Sequence, residues 1–111
     1  MTPEHALSNR IRLWCGENDI LCFHINVGKI KLPSGGYFQT GVPNGWPDLL
    51  MMTKNGKIFF VETKSINGTL SDDQAKMISE LRERRFEVFV VFTFSQFQDV
   101  IDELNKKALF D

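Results

Sequence analysis

Cysteine is scarce in this sequence. Its two thiols, Cys15 and Cys22, are spaced as neither a CxxC redox pair nor half of a usual zinc-finger pattern. Zinc ligands normally arrive in tight spaced pairs, which argues against a site built from Cys15, Cys22, His5 and His24. Two reduced thiols, buried or half-buried, are expected instead. Long apolar stretches are missing too: no run nears the roughly 20 residues that a membrane span needs. The opening residues, Met1-Thr2-Pro3-Glu4-His5, carry neither the charged start nor the apolar stretch of a secretory leader, so the expected location is the cytoplasm. An excess of positive charge is also lacking, since 13 Lys and Arg stand against 14 Asp and Glu for a net charge of −1. The molecule as a whole therefore does not advertise a nucleic-acid partner, although such binding depends on where charge lies rather than on its sum. Acids that held a cation would leave the loaded protein more positive than its formula.

What is present is enough apolar material for a core. The 111 residues are 42% hydrophobic and include ten Phe, which fits one compact domain over 1–111 and excludes disorder. Residues 2–16 read as a helix, with Thr2 as N-cap, Pro3 at the first helical position and Gly16 as the stop. Leu7, Ile11 and Trp14 form its apolar stripe, and Glu4 lies on that stripe one turn earlier. Residues 20–27 read as a strand. From Gly28 to Pro47 come five glycines, three prolines, Lys29 and Lys31. This is a long connection with a short hairpin expected around Pro33-Ser34-Gly35-Gly36. Asp48–Thr53 and Lys57–Ser65 flank Asn55-Gly56, a strong hairpin signal. Both runs are apolar on successive positions, as central strands covered on both faces are. Ser71-Asp72-Asp73-Gln74 opens a helix in capping-box form, with Leu70 as a staple to Ala75 and a buried stripe of Ala75, Ile78 and Leu81. Glu87–Thr93 reads as another buried strand, and Ser95 as the cap of a final helix to about Leu109. The expected order is α-β-β-β-α-β-α, a mixed sheet flanked by helices.

Three polar residues interrupt this apolar pattern. Glu62 and Lys64 are two apart on one strand and share a face. Asp48 begins the partner strand. Two carboxylates and a Lys on a buried sheet are costly to desolvate unless they serve one another or a cation. Oxygen donors of this kind suit Mg²⁺ or Mn²⁺ rather than zinc, and the backbone carbonyl of Thr63 could add another. Such a set can hydrolyse a phosphodiester: the cation lowers the pKa of a water and neutralises the phosphate, while Lys64 orients that water or stabilises the pentavalent phosphorus. Hairpin register tests the idea. A two-residue turn at Asn55-Gly56 sets position 49 against 62 and puts Asp48 on the opposite face, whereas a three-residue loop or a bulge sets 48 against 62. The odd loop or a bulge is the expectation.

Gly45-Trp46-Pro47-Asp48, fourteen residues, then Glu62-Thr63-Lys64 resembles the PD-(D/E)XK nuclease signature. The surroundings are similar to its VRR-NUC branch: an early acid on an N-terminal helix (Glu4), Asn26-x-Gly28 after the first strand, and Gln74 opening the next helix. One departure is Arg84-Arg85-Phe86, where the family often has a Gly to end that helix. The resemblance covers nearly the whole chain. It implies a single VRR-NUC-type domain with a restriction-endonuclease-like core, and Mg²⁺- or Mn²⁺-dependent endonuclease activity on DNA. It further implies a junction-resolvase-like preference for branched (Holliday-junction) DNA, a homodimer, and a bacterial or phage-infected cell as the setting. A non-cutting DNA-binding subunit of the same fold is the alternative, but such proteins usually lose an acid or the Lys. An enzyme on small phosphodiesters would need a closed pocket with phosphate-cradling glycines; here the glycines sit in one long loop.

Several site candidates also have structural readings. Glu4 could serve as a further metal ligand or simply favour the helix dipole. Gln74 could support the site or close the capping box, or both. Candidate DNA contacts are Lys29, Lys31, Asn26, Trp46, Arg82 and Arg85, with Trp46 able either to stack on a base or to pack beside Pro47. His24 reads as a strand residue rather than a base.

Overall fold

The computed structural model describes residues 1–110, with side chains through Lys107. Three helices and six strands follow one another as α1 (Pro3–Glu17), β1 (Leu21–His24), β2 (Lys29–Lys31), β3 (Tyr37–Gln39), β4 (Leu49–Met52), β5 (Ile58–Thr63), α2 (Asp72–Glu83), β6 (Glu87–Val91) and α3 (Phe94–Phe110). The expected α-β-β-β-α-β-α order stands, with β2 and β3 added as a separate two-stranded sheet inside the long connection. The main sheet runs β1-β4-β5-β6, antiparallel except for the parallel β5–β6 pair that α2 crosses over.

Period-two alternation divides the sheet between two cores. Leu49, Met51, Phe59, Val61 and Val91 pack with Ile11 and Cys15 of α1 and with Phe97 and Ile101 of α3. Phe60 and Val88 pack on the other face with Ile78 and Leu81 of α2. Phe59 and Phe97 are buried in the first core, a burial worth about 1.5–3 kcal/mol per side chain. Because Phe60 faces α2, positions 62 and 64 face α2 as well. The strand thus delivers Glu62 and Lys64 to the face where α2 begins.

The β4–β5 hairpin has the odd loop. Leu49 pairs with Val61 and Met52 with Ile58, so the register carries 48 opposite 62. Thr53 N–H donates to the Lys57 carbonyl at 2.8 Å, enclosing Lys54-Asn55-Gly56, and Gly56 takes the positive φ of 86° that closes such a loop.

Helix ends depart from the sequence reading in three places. Thr2 caps α1 as expected, accepting from His5 N–H at 3.2 Å. The helix, however, runs through Gly16 to Glu17, and Asp19 at φ 59° makes the stop, with Ile20 N–H donating to the Cys15 carbonyl at 2.9 Å. Buried Ser8 and Cys15 join Ile11 on the inner face of α1, while Leu7 and Trp14 flank it half-buried. The capping box of α2 is complete, but Ala75 is exposed, leaving Ile78 and Leu81 as the buried stripe. In α3 the cap is Thr93, whose Oγ1 accepts from Gln96 N–H at 3.1 Å, rather than Ser95. The thiols are free, Cys15 buried and Cys22 half-buried. No helix among the described residues is long and apolar enough to cross a membrane.

Candidate active site

The site forms where β4 begins and β5 ends. β5 continues past its last β4 partner, which leaves Thr63 N–H without a backbone carbonyl on that side. The Asp48 carboxylate takes its place: Oδ2 accepts from Thr63 N–H at 3.1 Å and from Thr63 Oγ1–H at 2.7 Å. In return, Asp48 N–H donates to Glu62 Oε2 at 3.2 Å. Gln74 reaches over from the first turn of α2, its Nε2 donating to Glu62 Oε1 at 3.1 Å. Gln74 Oε1 meanwhile accepts from Ser71 N–H at 2.9 Å, so both readings of this residue hold at once. Lys64 Nζ lies 3.9 Å from Glu62 Oε1.

Glu62 is 2% exposed. Burial, and then the neighbouring charge of Asp48, push its carboxyl up to about 8; Lys64 and the Asp48 N–H pull it down, and the charge of Glu4 adds to the rise. A buried carboxyl facing a second acid is a place where a divalent cation would relieve the repulsion. Among the described residues no three His, Cys, Asp or Glu side chains form a metal-holding group. The oxygen donors gathered here are the two carboxylates of Asp48 and Glu62, each with lone pairs beyond those its hydrogen bonds use. That donor set fits Mg²⁺ or Mn²⁺, which bind through one or two carboxylates and leave further positions to water and phosphate. Zinc, whose sites are usually built on nitrogen and sulfur donors, is the poorer match.

Glu4 approaches the end of β5 from α1, near enough for its charge to act on Glu62. Glu4 Oε1 accepts from Ser65 N–H at 3.2 Å, fixing the chain just past β5 to α1. This contact fixes one of its carboxylate oxygens at the end of β5.

The remaining candidates divide by location. Trp46 is half-buried, with its ring edge-on to Phe60 at a centroid distance of 5.6 Å, so it packs beside Pro47 against the α2 core. Arg82 donates from Nη2 to the Val88 carbonyl at 2.6 Å, tying α2 to β6. Arg85 is exposed past the end of α2, about 16 Å along the helix axis from Gln74. Neither arginine is brought to the carboxylates. Asn26 is exposed in the connector between β1 and β2, and Lys29 and Lys31 are exposed on β2. His24 is exposed at the end of edge strand β1. The Thr63 hydroxyl is a contact that sequence reasoning missed; its signal was a hydroxyl between Glu62 and Lys64 in an otherwise apolar strand.

An acid at the start of one strand, with Glu and Lys two apart on the next and a helix-borne Gln beside them, is the arrangement of a PD-(D/E)XK-like nuclease domain. A model of the VRR-NUC domain family matches residues 7–93. A solved structure described as a VRR_NUC domain is similar at a TM-score of 0.71 and 25% identity, covering 92% of this chain and 97% of that one. The chain belongs to the VRR-NUC domain family. The matched stretch takes in Asp48, Glu62, Lys64 and Gln74, while Glu4 precedes it. No curated protein sequence matches the chain.

Proposed function

We propose that this chain is a metal-dependent endodeoxyribonuclease that hydrolyses phosphodiester bonds, acting as a homodimer on branched DNA in the manner of a junction resolvase. One observation supports the reading above the others: Asp48, Glu62 and Lys64 converge at the end of two paired strands, the acids bridged by the Asp48 N–H and Lys64 at 3.9 Å from Glu62. A bound Mg²⁺ or Mn²⁺ would supply Lewis-acid activation of water and neutralise charge on the phosphate.

Around that ion the chain's own groups have distinct tasks. Asp48 and Glu62 would hold it, with the Thr63 carbonyl as a further oxygen. Thr63 fixes the Asp48 carboxylate through two hydrogen bonds, and Gln74 fixes Glu62, as outer partners orient ligands elsewhere. Lys64 meets the charge that develops on the phosphate in the transition state. Branched substrates suit a symmetric pair of such small domains, because two cuts on opposite strands need two sites.

The test is a panel of labelled linear, nicked, flapped and four-way DNAs incubated with Mg²⁺, Mn²⁺ or EDTA. Cleavage with either metal and none with EDTA is expected. Lys64→Ala should lose about 10²–10³-fold in rate. Asp48→Asn and Glu62→Gln should lose cleavage and metal binding together. A folded wild-type chain that cuts none of these with either metal would sink the proposal. Light scattering that finds monomer throughout would remove the dimer from it.

A further inference from the structure

The β2–β3 hairpin stands away from the body of the fold. Every residue from Lys31 to Gln39 is exposed, including the apolar side chains of Leu32, Tyr37 and Phe38. An isolated two-stranded ribbon is marginally stable in water. Exposed aromatics on such an arm point to something it lies against.

Register sorts the arm into two faces. Lys29 pairs with Gln39, Ile30 with Phe38, and Lys31 with Tyr37. Alternation therefore puts Lys29, Lys31, Tyr37 and Gln39 on one face and Ile30 with Phe38 on the other. The first face combines two ammonium groups, an amide and a phenol. From Gly28 to Pro47 there is no Asp or Glu, whereas the rest of the chain carries 11 Lys and Arg against 14 Asp and Glu. The arm is thus a cationic island on an acidic molecule.

Both legs of the arm are rooted at the acidic pair. Ile25 N–H donates to the Asp48 carbonyl at 2.7 Å, four residues before the ribbon begins. Gly28 N–H donates to the Val42 carbonyl at 2.8 Å, closing the root, and the returning leg runs through Pro43, Gly45 and Pro47 into Asp48. At this root lies a concavity of about 790 Å³ bordered by Gly28, Lys29, Gln39, Gly41 and Asn44, none of them acidic.

From this geometry we infer that the β2–β3 ribbon is a DNA-binding arm. It lies in a groove of the duplex flanking the cleaved phosphate, with Lys29, Lys31, Tyr37 and Gln39 on its DNA side. The inference rests on the nuclease reading of Asp48, Glu62 and Lys64. A two-stranded ribbon fits a major groove about 12 Å wide. The polyanion supplies the countercharge that Lys29 and Lys31 lack on the arm itself. A partner copy of this chain, net negative but without the regular phosphate spacing, is the weaker match to that face.

The experiment is fluorescence anisotropy of the full chain on labelled duplex and four-way DNA in EDTA, from about 50 to about 300 mM salt. The chains compared are wild type, the double variant Lys29→Ala/Lys31→Ala, the double variant Lys29→Arg/Lys31→Arg, and Tyr37→Ala. Loss of two phosphate contacts should make the slope of log affinity against log salt shallower by about 1.8. The alanine pair should also weaken binding about tenfold near 0.1 M salt, and the arginine pair should restore both. Tyr37→Ala should weaken binding with the slope unchanged. An unaltered thermal midpoint confirms that the body of the fold is intact in each variant. Wild type that binds and cuts DNA, beside an alanine pair with unchanged affinity and slope, overturns the arm and leaves the nuclease standing. Wild type that neither binds nor cuts overturns both. Variants that dissociate a dimer in sedimentation while keeping the wild-type salt slope make the arm a self-association device, which also overturns the inference.

Discussion

Gly45 sits so close to the start of α2 that a Cβ on it would collide with the backbone carbonyl of Asp73. Its φ of 93° is a second demand for glycine. The loop leading to Asp48 is thereby pressed against the backbone beside Gln74, and the segments that carry these two residues share one contact. Gly45→Ala should cost about 1–3 kcal/mol in urea unfolding. Gly35 makes a control, because it also has a positive φ of 96° but open space around it. Gly35→Ala should cost less stability. Equal losses at the two positions would mean that the close approach contributes nothing.

Glu62 makes stability depend on pH in a defined direction. Its carboxyl titrates near 8 in the folded chain, against an ordinary value of 4.5. Between these values the folded chain keeps a proton that the unfolded chain has released, so the metal-free protein should lose stability as pH rises across that window. Glu62→Gln should flatten this part of the profile. Mg²⁺ added near the upper end should restore stability to wild type, since it favours the ionised carboxylate, and it should bind more tightly as pH rises. Urea midpoints measured across the window, with and without the ion, decide the point. An identical decline in Glu62→Gln would assign it to other groups.

Gln74 has two jobs that mutation can separate. Ser71→Ala removes the hydroxyl half of the capping box and should cost about 1 kcal/mol of stability while sparing cleavage. Gln74→Ala also removes the hydrogen bond to Glu62, and should lower metal affinity or activity about 10–100-fold. If both variants lost activity in proportion to stability, Gln74 would be a cap and nothing more.

The end of α2 carries strain that a simple substitution should relieve. Arg85 sits at φ 69°, with Arg85 N–H donating to the Arg82 carbonyl at 2.9 Å and Phe86 N–H to the Leu81 carbonyl at 3.0 Å. This is the paired-bond helix ending that glycine usually serves, made here by a side-chain-bearing residue. Arg85→Gly should stabilise the chain by about 1 kcal/mol. A loss of stability would show that the arginine side chain compensates for its backbone.

These particulars show where the sequence was legible. The odd hairpin loop could be argued before any coordinates, because Asp48 and Glu62 had to share a face and only one parity allows it. The runs apolar on successive positions likewise placed β4 and β5 in the centre of the sheet. The α3 cap was harder, since Thr93 and Ser95 lie two apart and both carry a hydroxyl that can accept from a first-turn N–H. The stop of α1 misled because Gly16 is tolerated within a helix, while Asp19 can adopt the left-handed backbone that ends one. Ala75 follows the period of its helix, yet it is exposed, and Ile78 and Leu81 alone are buried. Thr63 hid in plain view, since threonine is ordinary in a strand and its hydroxyl partner is fifteen residues away.

Because the Asp48 carboxylate finishes the β5 ladder where a main-chain oxygen is missing, the residue is also a backbone surrogate. Alanine at this position would strand the Thr63 N–H in a buried place, at a cost of about 1–3 kcal/mol, and would blur a folding defect with a chemical one. Asparagine keeps an acceptor for that N–H while removing the charge. Thermal melts should rank Asp48→Asn well above Asp48→Ala, which makes the amide the better silent form for trapping an uncut complex.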